Sequence, residues 1–157
     1  IICLCNWKEV KKLIIMKNIK LLLLIVSISI SCNYTIEHIH YGQDECFNCK
    51  MMIIDNKYAS EFMTSKGKSY KFDSIECMID YIDNIDESEV SIFLVNDYGN
   101  PGRMINTNIA FFLISDNITS PMGANLSAFS DFNDIDKVDS QGDVYNWNEL
   151  IAHVRKF

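Results

Sequence analysis

The chain has 157 residues, 48% of them hydrophobic and 22% charged, with 21 acidic side chains against 14 basic ones and a formal net charge of −7. That length gives one domain room for a real core, and the acidic balance excludes a surface built to hold phosphate backbones or anionic lipid headgroups by charge. Six cysteines and seven methionines make sulfur the chemistry to follow.

In chain order, residues 1–15 open with Ile1 and carry Cys3 and Cys5 ahead of the first methionine, so they are set aside as a non-native or mis-started extension. Residues 16–31 have the form of a lipoprotein signal peptide: Lys17 and Lys20, then an apolar run from Leu21 to Ile30, then Ser29-Ile30-Ser31-Cys32. A spanning helix needs about 20 apolar residues, and this run is shorter. Ser29 stands where such signals usually place Leu, and a plain signal peptide or uncleaved anchor is the competing reading. Acylation at Cys32 would then anchor the chain to a membrane, each buried methylene contributing about 0.8 kcal/mol. Without residues 1–31, which hold five Lys and one Glu, the remainder is more acidic still.

Residues 32–45 are polar and lack a period, which predicts a lidated tether's behaviour: a lipidated, flexible spacer in which His38 and His40 are incidental. From residue 46 to 157 the pattern is that of a folded domain. Met51 to Asp55, Tyr58 to Thr64 and Lys68 to Phe72 read as short strands separated by turns at Asp55-Asn56-Lys57 and Gly67. Asp73-Ser74-Ile75-Glu76 has the form of a helix start, with Asp73 as N-cap and Glu76 reaching back, and Ile75, Met78, Ile79 and Ile82 recur at helical spacing. Ser91 to Asn96 suits a buried strand. A second set follows: Ala110 to Ser115 and Ser127 to Ser130 as strands, a short helical stretch near Ile135, Val144 to Trp147 as a strand, and a helix from about Asn148. The expected fold class is α+β, with two lobes sharing one order of elements and packed as one compact domain.

The run Cys46-Phe47-Asn48-Cys49-Lys50-Met51 sets two thiols and a thioether within six residues. If Cys49 and Met51 enter a strand, both project from one face and Lys50 from the other. A thiolate beside a thioether selects a soft, low-coordinate ion, with Cu(I) the leading candidate. Ser120-Pro121-Met122-Gly123 presents a further thioether, Met122, on a tight turn. Cys46 is a ligand, a disulfide partner of Cys49 or a spectator; Cys77, on the apolar face of the helix, reads as a small buried thiol. A thioredoxin-like enzyme would place its CxxC at a helix start, and a zinc site would want a second paired motif downstream. No catalytic constellation is visible in the sequence, so a non-enzyme is expected, with a membrane-tethered thiol–disulfide redox protein or a metal-free partner-binding module as alternatives.

Asp44-Glu45-Cys46-x-x-Cys49-x-Met51-x-Ile53-x-Asp55, with Tyr58-Ala59, Gly67-Lys68, Phe72-Asp73-Ser74-Ile75-x-Cys77-Met78, Ser120-Pro121-Met122-Gly123-Ala124 and Ala128-Phe129, resembles the NosL family of copper-binding lipoproteins that accompany nitrous-oxide reductase. The resemblance implies a monomer of two ββαβ-type lobes, similar to the MerB/NosL class, that binds Cu(I) outside the cytoplasm and passes it to the reductase. It implies Cys49 and Met122 as leading ligands, with Met51 also at or beside the site; Cys46 stays a further candidate metal ligand on its spacing alone. It also implies a place on the periplasmic side of the outer membrane if the host is Gram-negative. The family run is often CxxCGM, so Lys50 replaces a glycine here.

Overall fold

The computed structural model describes residues 35–155. The extension at 1–15, the signal at 16–31 and the lipidation site Cys32 lie outside the described residues.

The first lobe is built by β1 (Ser60–Thr64), β2 (Ser69–Phe72), α1 (Ile75–Ile82) and β3 (Val90–Asn96), with a 3₁₀ turn at Glu87–Glu89 and an added edge strand β4 (Met104–Asn106) that the sequence reading missed. The second is β5 (Phe111–Ile114), β6 (Leu126–Phe129), α2 (Phe132–Val138) and β7 (Asp143–Tyr145), closed by α3 (Trp147–Val154). Both sheets are antiparallel, in the orders β2-β1-β3-β4 and β6-β5-β7. Each lobe is therefore a ββαβ unit whose first strand lies in the middle, as expected for this α+β class.

Alternation along β1 decides what each face of the first sheet meets. Phe62 faces α1 and packs on Phe72 and Tyr81, with ring centroids 5.6 and 6.1 Å away. Ile75, Met78, Ile79 and Ile82 close that core from the helix, all fully buried or nearly so. Trp147, at the start of α3, joins the lobes by packing on Phe93 of β3 (5.7 Å) and Phe112 of β5 (5.4 Å). The same apolar cluster runs through both lobes.

The opposite face of the first sheet carries Glu61, in register with Lys71 of β2 and Leu94 of β3. Residues 36–45 lie across it. Ile39 is buried, the Tyr41 hydroxyl donates to Asn96 Oδ1 at 2.9 Å, and Lys71 Nζ donates to the His38 carbonyl at 3.0 Å and to Asp44 Oδ2 at 2.8 Å. This corrects the expected tether: from residue 36 onward the segment is packed, because its apolar residues and backbone carbonyls find partners on the sheet.

The strand expected at Met51 to Asp55 does not form. A single bridge between Glu45 and Met52 replaces it, and Lys50 breaks the extended run with a left-handed φ of 64°. The N-cap of α1 is Ser74, not Asp73: its Oγ accepts from Cys77 N at 3.2 Å. Glu76 does not close a capping box, since its side chain is drawn to Ser120 instead.

Candidate metal centre

A tight loop delivers the first two thiols. Cys46 N donates to the Met51 carbonyl at 2.7 Å and Lys50 N to the Cys46 carbonyl at 3.0 Å, so the chain from 46 to 51 closes on itself. The reversal needs a residue at positive φ, a conformation that costs a residue with a Cβ about 1 kcal/mol and glycine almost nothing. Lys50 adopts it, and its ammonium is held by the Phe47 carbonyl at 2.7 Å and by the Phe47 ring, 4.5 Å to the centroid. The Lys50 side chain is thus engaged by Phe47 and does not project from a strand face as expected. The loop is pinned to the sheet by Phe47 N donating to the Lys71 carbonyl at 2.8 Å, and by edge-on packing of Phe47 against Tyr70 and Tyr81.

The other two donors come from the end of β2 and the first turn of α1. Asp73 follows β2 directly, and Cys77 is the third helical residue; both are buried. One donor atom from each of Cys46, Cys49, Asp73 and Cys77 falls within 4.8 Å of every other. Cys46 and Cys77 are fully buried, Cys49 is partly exposed, and all three are free thiols. The partial exposure of Cys49 leaves a route for an ion to enter.

Electrostatics favour one thiolate in this pocket. A hydrogen bond with Cys77 and backbone N–H groups of Asp73 and Cys49 hold the Cys46 thiol down at about 6, against the opposing pull of burial. The Cys77 thiol is pushed up, first by sharing its proton with Cys46 and then by burial and the Asp73 carboxylate. Burial also raises Cys49. Asp73 Oδ1 is buried and has no hydrogen-bond partner among the described residues, so its lone pairs are free to bind a cation. Three thiols and a carboxylate with an unsatisfied oxygen form a donor set for a thiophilic ion.

Of the residues expected from sequence, the fold brings Cys46 and Cys49 together and sets the methionines at the surface. Met51 is 57% exposed and Met122 43%. The turn carrying Met122 is tied to the pocket's helix: Ser120 Oγ hydrogen-bonds Glu76, the neighbour of Cys77, and also accepts from Asn125 N at 3.0 Å. Gly123 and Asn125 supply the positive φ values that fold this turn, 80° and 58°. Burial raises the Glu76 carboxyl above its usual range, with the Ser120 bond opposing. Asp73 and Cys77 are what sequence reasoning missed as donors. Sequence alone reads Asp73 as a cap and Cys77 as core; the available signal is the spacing Asp73-x-x-x-Cys77, which sets a carboxylate just ahead of the N-cap and a thiol in the first helical turn.

The family model for NosL matches residues 38–154. Among solved structures, the chain is similar to the crystal structure of the copper chaperone NosL from Shewanella denitrificans. The two are 23% identical with a TM-score of 0.64, over 74% of this chain and 96% of that one. No curated protein sequence matches the chain.

Proposed function

This chain belongs to the NosL family, and we propose from that premise that it is a non-enzymatic carrier whose cargo is Cu(I). The observation that carries the reading is the convergence of Cys46, Cys49, Cys77 and Asp73 within 4.8 Å. Thiolates select soft ions, and the solved relative is described as a copper chaperone. Cys49, the most accessible of the three thiols, is the point of first capture, with Cys46 as its partner; Met51 and Met122 are exposed thioethers suited to receive or hand on an ion. A carrier must release what it holds, and a partly exposed thiol at Cys49 lets an incoming ligand attach before the donor lets go. We further propose that the chain is anchored outside the cytoplasm through Cys32 and delivers copper to nitrous-oxide reductase, a recipient supported by the family resemblance.

Anaerobic titration of the reduced chain with Cu(I) against a competing chelator tests the cargo. Tight binding that disappears in Cys49→Ser is expected; no binding, or binding indifferent to that substitution, would overturn the reading. Labelling with a radioactive fatty acid tests the anchor, since Cys32→Ala must lose the label. Transfer of copper to apo nitrous-oxide reductase tests the recipient, and failure to load it while copper stays bound would reassign the partner alone.

The lowered Cys46 thiol favours one second reading, thiol–disulfide exchange. Its CxxC sits in a loop and not at a helix start. A chain that reduced disulfide substrates and bound no copper would establish it.

A further inference from the structure

Glu61 is the most unusual buried group away from the cysteine pocket. It sits in an inner strand of the first sheet, on the face turned away from α1, only 1% exposed, and neither carboxylate oxygen has a well-aligned hydrogen bond, the Ser69 side chain coming near without forming one at good geometry. Its cross-strand neighbour Lys71 does not neutralise it by contact, because that ammonium is already held by Asp44 and the His38 carbonyl. Burial outweighs the pull of Ser69 and Lys71 and raises the carboxyl above its usual range. A buried carboxylate left in this state is costly, and native proteins rarely keep one without a use.

Glu61 lines a cavity of about 330 Å³ between the sheet and residues 36–39. Its walls are mostly apolar, formed by Ile36, Ile39, Leu94 and Met104, with Gly102 and the exposed Glu37 and His38 completing the lining. Hard metal ions take six or more oxygen ligands, which these walls do not offer. A planar guanidinium on an aliphatic stem matches all three features. Its fork pairs two N–H groups with two free carboxylate oxygens, its stem suits the apolar walls, and it stays charged when desolvated.

We propose that this cavity is a receptor for a guanidinium group, the side chain of an arginine presented by a partner protein, with Glu61 as its bidentate counter-charge. Two acidic residues on the lining, Glu37 and Glu61, favour a cationic group at this face as well. The site lies across the sheet from α1 and stands or falls apart from the copper reading.

The test is a ¹H–¹⁵N NMR titration of the full chain with n-propylguanidinium chloride at constant ionic strength, beside n-butylammonium chloride and n-butanol. Saturable shifts at the amides of Ile39, Glu61, Leu94 and Met104 are expected, with guanidinium binding about tenfold or more tighter than the neutral alcohol. Glu61→Gln should lose that preference while the rest of the spectrum stays folded. If that variant does not fold, the comparison of the three probes on the natural chain decides alone. Linear, unsaturable shifts would mean a cavity filled by water, equal binding of n-butanol a merely apolar hollow, and equal binding of n-butylammonium a site without the fork; each overturns the proposal.

Discussion

The two lobes are built on one frame and filled with different chemistry. Cys46 precedes β1 by the same number of residues as Asp97 precedes β5. The next residue in each case, Phe47 or Tyr98, donates its N–H to the second-to-last residue of the neighbouring strand, Lys71 at 2.8 Å or Ala128 at 2.7 Å. Asp73 and Ser130 then follow those strands, Ser74 and Asp131 cap the helices, and Cys77 and Asp134 are the third helical residues. In the second lobe the frame is satisfied by oxygen: buried Asp97 accepts from Ser130 Oγ at 2.6 Å, Ser130 N at 3.3 Å and Gly99 N at 3.2 Å, while Asp134 pairs with Lys137. In the first lobe the same positions hold thiols and a carboxylate with an unpartnered oxygen. A frame whose polar groups satisfy one another is structural; one whose donors converge without partners is built to hold something else.

The largest effect expected from this contrast is on cargo. Cys49→Ser should remove Cu(I) binding beyond what chelator competition can detect, and Cys77→Ser should weaken it clearly, now that Cys77 lies in the cluster; neither should change secondary structure by circular dichroism. The opposite pattern is expected across the pseudo-repeat. Asp97→Ala should cost about 2–3 kcal/mol in urea unfolding, the scale of hydrogen bonds to a buried charge, and leave copper affinity unchanged. A loss of copper binding there would show that the second lobe shares the metal role.

Glu76 has no counterpart bond in the second lobe, and it sharpens the question of how Met122 is held. Glu76→Ala frees the Ser120 turn, and by analogy with residues that orient metal ligands the Cu(I) affinity should drop about 10- to 100-fold. X-ray absorption would show one sulfur fewer around the ion if Met122 is a ligand, and an unchanged shell if it is not.

Glu61 occupies the strand position that Phe112 fills in the second lobe. Glu61→Leu should therefore stabilise the chain at pH 7 by about 1–3 kcal/mol, the scale of an unsatisfied buried polar group. Burial raises the carboxyl above its ordinary value of 4.5, so its protonated form is the one the fold prefers. That contribution is complete below 4.5 and lost as pH rises through the folded-state value, and the advantage of Glu61→Leu should shrink on acidification. Chemical denaturation at several pH values measures it. The smallest change is Lys50→Gly, where relief of the left-handed backbone opposes greater unfolded-state freedom and a lost ring contact, for a net shift within about 1 kcal/mol. Lys50→Val should cost about 1–2 kcal/mol, because a β-branched residue tolerates that φ worst.

Much of this molecule could be read from residue order. Strand and helix positions followed from alternation and from the spacing of Ile75, Met78, Ile79 and Ile82, since those periods report which side of an element meets the core. The linked motifs from Cys46 to Phe129 were enough to place the chain in its family. Where local signals competed, the reading went astray. Met51 to Asp55 has strand composition but Lys50 turns the chain left-handed, and Asp73 looks like a cap because its neighbour Ser74, which does the capping, differs from it by one place.

Sequence by itself determined the two ββαβ patterns, the acidic balance and the sulfur-rich loop, because each depends on residues close together in the chain. Only the tertiary structure decided that Asp73 and Cys77 close the pocket opened by Cys46 and Cys49, that Glu76 holds the Met122 turn, and that Glu61 is buried without a well-aligned hydrogen bond. Those outcomes depend on which faces of β1, β2 and α1 are pressed against segments distant in sequence, and no local pattern carries that information.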